Sequence, residues 1–241
     1  MAGDKNRDYG SLGRLGLGTP QANPTVEAEM RRLIPRDVEY FTLRLTSGSD
    51  DSATRLKDYL LNLPEFLAQR YAGLQMDAFM FGCTASEYLL EDGVSKERLA
   101  AASRVIGVPV ITAAGALVSW LGSRNVKTIA MATPYPDWLY DPAVNYWGKQ
   151  GFEVIDKAQI DIGSQDTYGI YNLQSADGAS FLDGLAAMGA DAIMISGTGM
   201  PSLKLLDEAR ARGLVIVSSN YALAEAGLSL LNQAPTEANS W

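Results

Sequence analysis

Short apolar runs alternate along this chain with longer segments in which apolar residues recur every three or four positions. Runs of the first kind are typical of buried strands, and segments of the second kind are typical of amphipathic helices. The pattern predicts strands at Arg14 to Gly18, Val38 to Leu45, Ala78 to Phe81, Pro109 to Thr112, Phe152 to Gln159 and Leu214 to Val217, with others near Lys127 and after Asp191.

A helical period fills most of the intervals between these strands. The predicted helices begin near Thr25 or run over Arg55 to Tyr71, Ser95 to Ile106, Ala113 to Leu121, Asp137 to Gln150, Ser180 to Met188, Ser202 to Arg212 and Tyr221 to Leu231. Pro64 interrupts the second of these helices or divides it in two. Strands that alternate with helices in this way predict an α/β fold, with a parallel sheet covered by helices on both faces.

Two polar intervals lie outside this helical pattern. The serines and aspartates of Ser47 to Ser52 are favoured as a helix cap over a binding site. Asp161 to Asn172 is polar and contains glycine, and its residues 165–167 could contribute a polar contact to a site.

One phrase of the sequence occurs twice. The residues Asp77-Ala-Phe-Met-Phe-Gly-Cys-Thr84 return 114 positions later as Asp191-Ala-Ile-Met-Ile-Ser-Gly-Thr198. The pair Thr19-Pro20 returns as Thr133-Pro134 at the same spacing. A duplicated plan of this kind predicts two similar α/β halves related by pseudo-twofold symmetry.

The repeat also predicts the domain organisation. We expect a mobile arm at residues 1–13, a first half at 14–121 and a second half at 122–241, whose closing helix could pack on the first half. Open α/β sheets bind ligands beyond the carboxyl ends of their strands. Four such loops, at Thr19, Cys83, Thr133 and Gly197, are therefore expected to converge on one cleft between the halves.

The composition is that of an ordinary globular protein, with 47% hydrophobic and 20% charged residues in a chain of 241. A net charge of −8 and the lack of a Lys/Arg run argue against a nucleic-acid surface. No apolar stretch is long enough to span a bilayer, no signal peptide is found, and one cysteine cannot form an internal disulfide. We therefore expect a cytoplasmic protein without a nucleic-acid or membrane partner, and a homo-oligomer stays open.

The chain contains no histidine. This excludes Ser-His-Asp and Cys-His catalysis within one chain and removes the commonest metal ligand. A single cysteine gives no zinc pattern, and the glycines of Gly13 to Gly18 lie in a predicted strand, where they make a poor dinucleotide fingerprint. We therefore expect an activity that needs no metal or nucleotide cofactor and moves protons through Cys, Tyr, Asp, Glu or Lys.

The sequence resembles the aspartate/glutamate racemase superfamily, and within it the branch of arylmalonate decarboxylases and maleate cis-trans isomerases. The resemblance covers nearly the whole chain after Gly13. It rests on four strand-end motifs, which are Gly16-Leu-Gly-Thr-Pro-Gln-Ala-Asn23, Gly82-Cys-Thr84, Ala132-Thr-Pro-Tyr135 and Gly197-Thr-Gly-Met-Pro-Ser202. It implies a cofactor-free cleft with two facing catalytic positions, in which backbone N–H groups and hydroxyls hold a substrate carboxylate.

The family positions can be carried over residue by residue. Racemases and maleate isomerases have a cysteine at both catalytic positions, and arylmalonate decarboxylases have one at the second. This chain has Cys83 at the first position and Gly197 at the second. The resemblance therefore implies a single catalytic thiol, which departs from all three patterns.

The candidate residues lie at or near the predicted strand ends and have side chains or backbone groups suited to binding a carboxylate or moving a proton. Cys83 is the candidate catalytic group, since loop amides and a following helix N-terminus can tune a thiol. The candidate substrate-binding residues are Asn23, Thr84, Tyr135, Gly197, Thr198 and Gly199. They offer an amide, three hydroxyls and backbone N–H groups that glycines allow close to an oxyanion. Ser86 is an open case between site and helix cap.

These residues favour an enzyme that acts on a small carboxylic acid. One thiol suffices for decarboxylation of a malonate-type acid, because a single proton must reach the enediolate. The position of Cys83 instead favours cis-trans isomerisation, with the thiol as nucleophile. Racemisation normally needs two opposed bases, and a non-catalytic acid-binding protein is a further alternative.

Overall fold

The computed structural model describes residues 7–179 and 181–236. Within this part of the chain eight strands form two parallel sheets of four. The strands are β1 (Gly13–Pro20), β2 (Val38–Leu45), β3 (Ala78–Phe81), β4 (Val110–Thr112), β5 (Thr128–Thr133), β6 (Glu153–Gln159), β7 (Ala192–Ile195) and β8 (Ile216–Ser218).

Helices follow the strands in both halves. They are α1 (Thr25–Leu33), α2 (Ser52–Leu61), α3 (Leu63–Arg70), α4 (Ala85–Tyr88), α5 (Asp92–Ile106), α6 (Ala113–Ser123), α7 (Asp137–Lys149), α8 (Ser175–Ala179), α9 (Leu182–Ala187), α10 (Leu203–Ala211) and α11 (Ser219–Ser229). A 3-10 turn spans Thr167–Asn172. None of the described helices has the length and apolarity required to cross a membrane.

The two sheets have the same strand order, which confirms the prediction of two similar α/β halves. The first sheet runs β2-β1-β3-β4 and the second runs β6-β5-β7-β8. Leu15 pairs with Ala78 in the first, and Ile129 pairs with Ala192 in the second. Each member of the second pair lies 114 residues after its counterpart, so the sequence repeat is a repeat of strand register.

The central strands are buried on both faces, which is why they read as continuous apolar runs. In β3, Phe79 and Phe81 pack into one hydrophobic cluster, while Ala78 and Met80 pack into the other. This alternation follows from the two-residue period of a strand. Each sheet is thereby fixed between two layers of side chains, and its carboxyl edge is held at a defined place.

The closing helix α11 packs against α6, α1 and β3, all of which belong to the first half. Its Gly227 allows the close approach, because a Cβ there would lie 2.5 Å from Met80 Sδ. The boundary predicted between residues 121 and 122 falls inside the last turn of α6, which runs to Ser123. Of the predicted arm, residues 1–6 lie outside the described residues, and Gly13 already belongs to β1.

Several element boundaries differ from those predicted. The segment from Arg55 to Tyr71 is divided at Asn62, because Pro64 takes a first-turn position of α3. Asp51 caps α2 by accepting from the Thr54 N–H at 2.7 Å, which confirms the predicted cap. The pattern missed α4 and α8, which are too short to show a helical period. The helix predicted from Ser180 begins at a residue outside the described ones, and α9 covers its centre.

Candidate active site

The carboxyl ends of the central strands meet at one cavity. The loops that follow β1, β3, β5 and β7 supply half of its lining residues, and this is where open α/β sheets bind ligands. All seven candidate residues line it, namely Asn23, Cys83, Thr84, Tyr135, Gly197, Thr198 and Gly199. The structure therefore brings the candidates of both halves together.

The rest of the wall comprises Pro20, Leu56, Ala85, Leu139, Thr167, Ile170 and Tyr171. Of these residues the sequence indicates only Thr167, within the possible polar contact at residues 165–167. Leu56 and Leu139 carry the same apolar period as core residues, so the sequence pattern could not single them out. A further signal was available at Tyr171, an aromatic residue in the polar segment. No charged side chain lines the cavity within the described part of the chain.

Cys83 lies in this wall with 3% of its surface exposed. Burial raises the pKa of its thiol, which is the largest effect. Hydrogen bonding from Ser86, through its hydroxyl and its N–H, and from the Ala85 N–H lowers the pKa by a smaller amount. Cys83 is therefore a neutral thiol at neutral pH in the closed site.

Ser86 supports the loop rather than the cavity. Its Oγ donates to the Leu56 carbonyl oxygen at 2.6 Å and lies 3.3 Å from Cys83 Sγ. Ser86 is fully buried and does not line the cavity. This residue ties α4 to α2 and fixes the direction in which the thiol points.

Four hydroxyls run from the cavity into the core between the halves. Thr84 Oγ1 lies 2.7 Å from Tyr135 Oη, which lies 3.2 Å from Ser196 Oγ. Ser196 Oγ in turn lies 2.9 Å from Tyr88 Oη. Burial raises the pKa of both tyrosines, so their hydroxyls keep their protons.

Thr198 uses its hydroxyl to hold the halves together. Its Oγ1 donates to the Gly82 carbonyl oxygen at 2.9 Å and accepts from Asn23 Nδ2 at 3.3 Å. We expected the Thr198 hydroxyl to bind a substrate, but its proton is already used in the hydrogen bond to Gly82. The backbone N–H groups of Thr198 and Gly199 have no acceptor within the described residues, and the same holds for Thr84. These N–H groups are what the two loops offer to a carboxylate.

Asn23 both caps a helix and reaches the wall of the cavity. Its Oδ1 accepts from the N–H groups of Thr25 and Val26 at 2.9 Å and 3.3 Å, which caps α1. Its Nδ2 reaches Thr198 at the cavity wall. The cap fixes the amide, so its donor group faces the second half.

Gly197 and Gly199 are glycines for different reasons. Gly197 has a φ of +123°, and a Cβ there would lie 3.2 Å from Pro134 Cδ. Gly199 has an ordinary φ, but a Cβ there would lie 2.8 Å from the Tyr171 ring. The first glycine permits the turn, and the second permits Tyr171 to close over the loop.

A buried carboxylate from the first half holds the second-half loop. Glu29 accepts from the N–H groups of Ser202 and Leu203 at 2.5 Å and 3.1 Å, and from Asn220 Nδ2 at 2.7 Å. Asn220 Nδ2 also donates to the Thr198 carbonyl oxygen at 3.0 Å. Burial raises the pKa of Glu29, and these donors lower it by less. Glu29 thereby caps α10 from the other half, a role that no local pattern in the sequence indicates.

The cavity is closed by the 3-10 turn Thr167–Asn172. Its volume is about 30 Å³, which is room for about one water molecule. Arg55 holds the turn from α2, since it pairs with Asp166 at 2.6 Å and lies over the Tyr168 ring at 3.9 Å. Tyr168 also accepts from Gln21 Nε2 at 3.0 Å. A substrate therefore fits only if the wall moves, and this turn supplies three of the lining residues, Thr167, Ile170 and Tyr171.

A larger open hollow of about 610 Å³ lies on the other side of Tyr135. Its wall includes the carboxylates of Asp137 and Asp161, which makes it unsuited to an anionic substrate. The described residues contain no group of three or more His, Cys, Asp or Glu side chains placed to hold a metal ion. The small closed cavity is thus the candidate site.

Comparison with known proteins fits this geometry. Residues 15–239 match the family model described as arylmalonate decarboxylase. The maleate isomerase of Pseudomonas putida strain KT2440 is 27% identical over 236 residues, and the match covers 93% of this chain and 94% of that protein.

Two solved structures share the fold. One is a Nocardia farcinica maleate cis-trans isomerase, a cysteine-to-serine mutant with a covalently bound succinylcysteine intermediate. It has a TM-score of 0.77 and 21% identity, and the match covers 92% of this chain and 96% of that chain. The other is unliganded arylmalonate decarboxylase, with a TM-score of 0.72, 20% identity and coverage of 91% and 92%. Because the family model spans nearly all of the sequence, the chain belongs to the arylmalonate decarboxylase family, whose members are enzymes of the aspartate/glutamate racemase superfamily.

Proposed function

We propose that this protein is a cofactor-independent decarboxylase of a 2-substituted malonic acid, with Cys83 as the proton donor. The observation that carries the proposal is the state of Cys83. It is a buried thiol with a raised pKa in a cavity that no charged side chain lines within the described residues. A thiol held in its protonated form suits proton delivery and is a weak nucleophile.

One side of the cavity would hold the carboxylate that stays. The N–H groups of Thr84, Thr198 and Gly199 have no other acceptor within the described chain, and the hydroxyls of Thr84 and Tyr135 lie beside them. Preorganised donors of this kind stabilise negative charge as it develops. They would therefore bind the enediolate more tightly than the substrate.

The other side would face the carboxylate that leaves. Leu56, Leu139 and Ile170 line the cavity and offer that group no hydrogen bond. An apolar, closed environment favours loss of charge as carbon dioxide. The bond between Cα and the carboxyl carbon breaks, and its electron pair passes into the remaining carboxylate as an enediolate. Cα then takes the Cys83 thiol proton, and a proton from water restores the thiol.

The test is turnover in deuterated buffer, followed by NMR, with phenylmalonate, maleate, aspartate and glutamate as separate substrates. We expect phenylmalonate to give phenylacetate with deuterium delivered to Cα. The Cys83→Ser variant should bind the acid and release carbon dioxide about 10²–10⁴ times more slowly. Release of carbon dioxide from that variant at the native rate would remove the thiol from the mechanism.

Cis-trans isomerisation of a maleate-type acid is the second candidate. Its support is the likeness to maleate isomerases, together with the succinylcysteine that the Nocardia farcinica isomerase forms. Here Cys83 would add to the double bond, the single bond so formed would rotate, and the thiolate would leave. Conversion of maleate to fumarate, with phenylmalonate unchanged, would favour this function over decarboxylation.

Two other functions have less support. Racemisation needs acids on two faces of the substrate, and the sequence holds one cysteine. A protein that only binds a small acid would turn over none of the four compounds.

A further inference from the structure

Two hydroxyls behind the candidate site do not touch the cavity. Tyr88 comes from α4, five residues after Cys83, and Ser196 is the residue before Gly197. Both are buried, and neither lines the cavity. They connect with each other and with Tyr135, so this chain of hydroxyls crosses from one half to the other.

A count of protons shows which hydroxyl donates at the Tyr88 end of this chain of hydroxyls. Within the described residues, Tyr88 Oη has two hydrogen-bond partners, Ser196 Oγ at 2.9 Å and Tyr135 Oη. The Tyr88 proton is buried and needs an acceptor, and both available acceptors belong to this chain of hydroxyls. Tyr88 therefore donates toward the cavity end of the chain.

The same count extends to the cavity. The Ser196 proton goes either to Tyr135 Oη at 3.2 Å or to Tyr88, which then donates to Tyr135, so Tyr135 accepts a hydrogen bond in both arrangements. Tyr135 and Thr84 share a single hydrogen bond of 2.7 Å, and both line the cavity. Whichever of the two donates to the other, one O–H is left to point at a ligand.

We propose that Tyr88 and Ser196 are positioning residues that orient and strengthen the O–H donors which Thr84 and Tyr135 present to a substrate carboxylate. The inference rests on the proposed function in one respect, that the ligand is a carboxylate. A hydroxyl that accepts a hydrogen bond becomes a better donor, and the effect passes along a chain of such groups. Donation from Tyr88 and Ser196 therefore strengthens the contact that stabilises the enediolate.

The packing around Tyr88 allows a clean substitution. Its ring lies 4.9 Å from that of Tyr146 and 6.0 Å from that of Trp147, between ring centroids. Tyr88→Phe keeps these contacts and removes only the first donor of the chain. Tyr146→Phe is the matched control, because it removes a hydroxyl from the same ring cluster, and Tyr146 forms no hydrogen bond with the four chain residues.

The first experiment needs no substrate. The NMR resonance of the Tyr135 Cζ, with labelled tyrosine, reports the hydrogen bonding of the Tyr135 hydroxyl. Tyr88→Phe and Ser196→Ala should shift it in the same direction, and Tyr146→Phe should leave it in place. An unchanged Tyr135 resonance in folded Tyr88→Phe would overturn the proposal, whichever reaction the protein catalyses.

The second experiment is a double-mutant cycle in turnover. Tyr88→Phe should lower kcat by about tenfold, the size expected for one weakened hydrogen bond, with a smaller change in KM. In the Tyr135→Phe background, where the chain is already cut, Tyr88→Phe should have no further effect. Equal losses in both backgrounds would show a merely structural role and refute the inference. Failure of all tested acids to react would count against the proposed function alone, since the resonance of Tyr135 is read without them.

Discussion

The two strand-end loops begin with the same phrase and then diverge. After β3 the chain turns at once into α4, so the N–H groups of Ala85 and Ser86 reach the Cys83 thiol. After β7 it continues through Gly199 and Pro201 before α10 begins at Leu203. Proline lacks an N–H and disfavours helix at the residue before it, which delays the helix. The first loop tunes a thiol and, within the described residues, leaves the Thr84 N–H free for a ligand, whereas the second leaves those of Thr198 and Gly199 free.

The hydrogen bonds that hold the two loops in place also differ. Ser86 ties the first loop to its own half, through the Leu56 carbonyl. The second loop is held by Glu29 and by the Thr198 hydroxyl, both of which reach across to the other half. The reactive group is therefore fixed within one half, whereas the binding group depends on how the halves meet. Each of the following expectations tests one side of this difference.

The largest effect is expected at Cys83. Cys83→Ser keeps the shape of the loop but replaces the acid by a much weaker one. Turnover should fall by about 10²–10⁴, the contribution of a positioned general acid. Substrate affinity should remain, because the N–H groups of the second loop are untouched, and calorimetric titration with the acid measures this. A variant that loses affinity together with turnover would contradict the division of roles between the loops.

The next effect concerns Glu87 of α4, which corresponds in the 114-residue repeat to Pro201 of the second loop. Burial raises the pKa of Glu87, a hydrogen bond with Thr112 partly offsets this, the Asp92 charge adds a smaller rise, and the net pKa is about 7. The folded state thus binds this proton more tightly than the unfolded state, whose carboxyl has a pKa of 4.5. Its contribution to stability is full below pH 4.5 and is lost as the pH rises to about 7, which amounts to about 3 kcal/mol.

Glu87→Gln should remove this pH dependence. Denaturant unfolding between pH 4.5 and pH 7 measures the free energy of unfolding of the native chain and of the variant. Glu97→Gln, on the exposed side of α5, is the control and should leave the profile unchanged. Buried Glu29 contributes with the same sign in both proteins, so the difference between the profiles isolates Glu87. A native profile that is parallel to that of Glu87→Gln would contradict the assignment.

A third effect tests why the second loop has a glycine at position 197, where the first loop has Cys83. Gly197→Ala adds a Cβ at a φ of +123° and against Pro134, so the free energy of unfolding should fall by more than the roughly 1–3 kcal/mol of backbone strain alone. Gly151→Ala is the control for strain, since Gly151 has a φ of +88° and open space around it. The same cost applies to Gly197→Cys, which would otherwise restore a facing pair of thiols. Equal losses at the two glycines would show that crowding by Pro134 is unimportant.

The smallest effect concerns access to the first loop. Asp166→Asn weakens the hold of Arg55 on the closing turn. Because Asp166 is 44% exposed, the pair is worth at most about 1 kcal/mol, and alkylation of Cys83 should quicken by about fivefold. Asp183→Asn, which breaks an exposed pair with Arg212, should leave the rate unchanged. An alkylation rate that neither variant alters would mean that the thiol is reached by another route.

Much of this architecture was available from the sequence. The 114-residue repeat predicted two similar α/β halves with parallel sheets, because strand and helix periods are set by local patterns of burial. It also predicted that Cys83 and Gly197 would occupy equivalent strand ends. Missed elements such as α4 are single turns, which are shorter than the period that would reveal them.

The sequence by itself determined the repeated strands, the strand ends that carry the thiol and the glycines, and the absence of histidine chemistry. The tertiary structure alone decided what surrounds them. Glu29 meets Ser202, and Tyr88 meets Ser196, across more than a hundred residues of chain. Such pairs depend on how two independently patterned halves dock, and no local period or spacing records that arrangement. For the same reason the Thr198 hydroxyl, which residue type alone suggested for a substrate, is engaged in joining the halves.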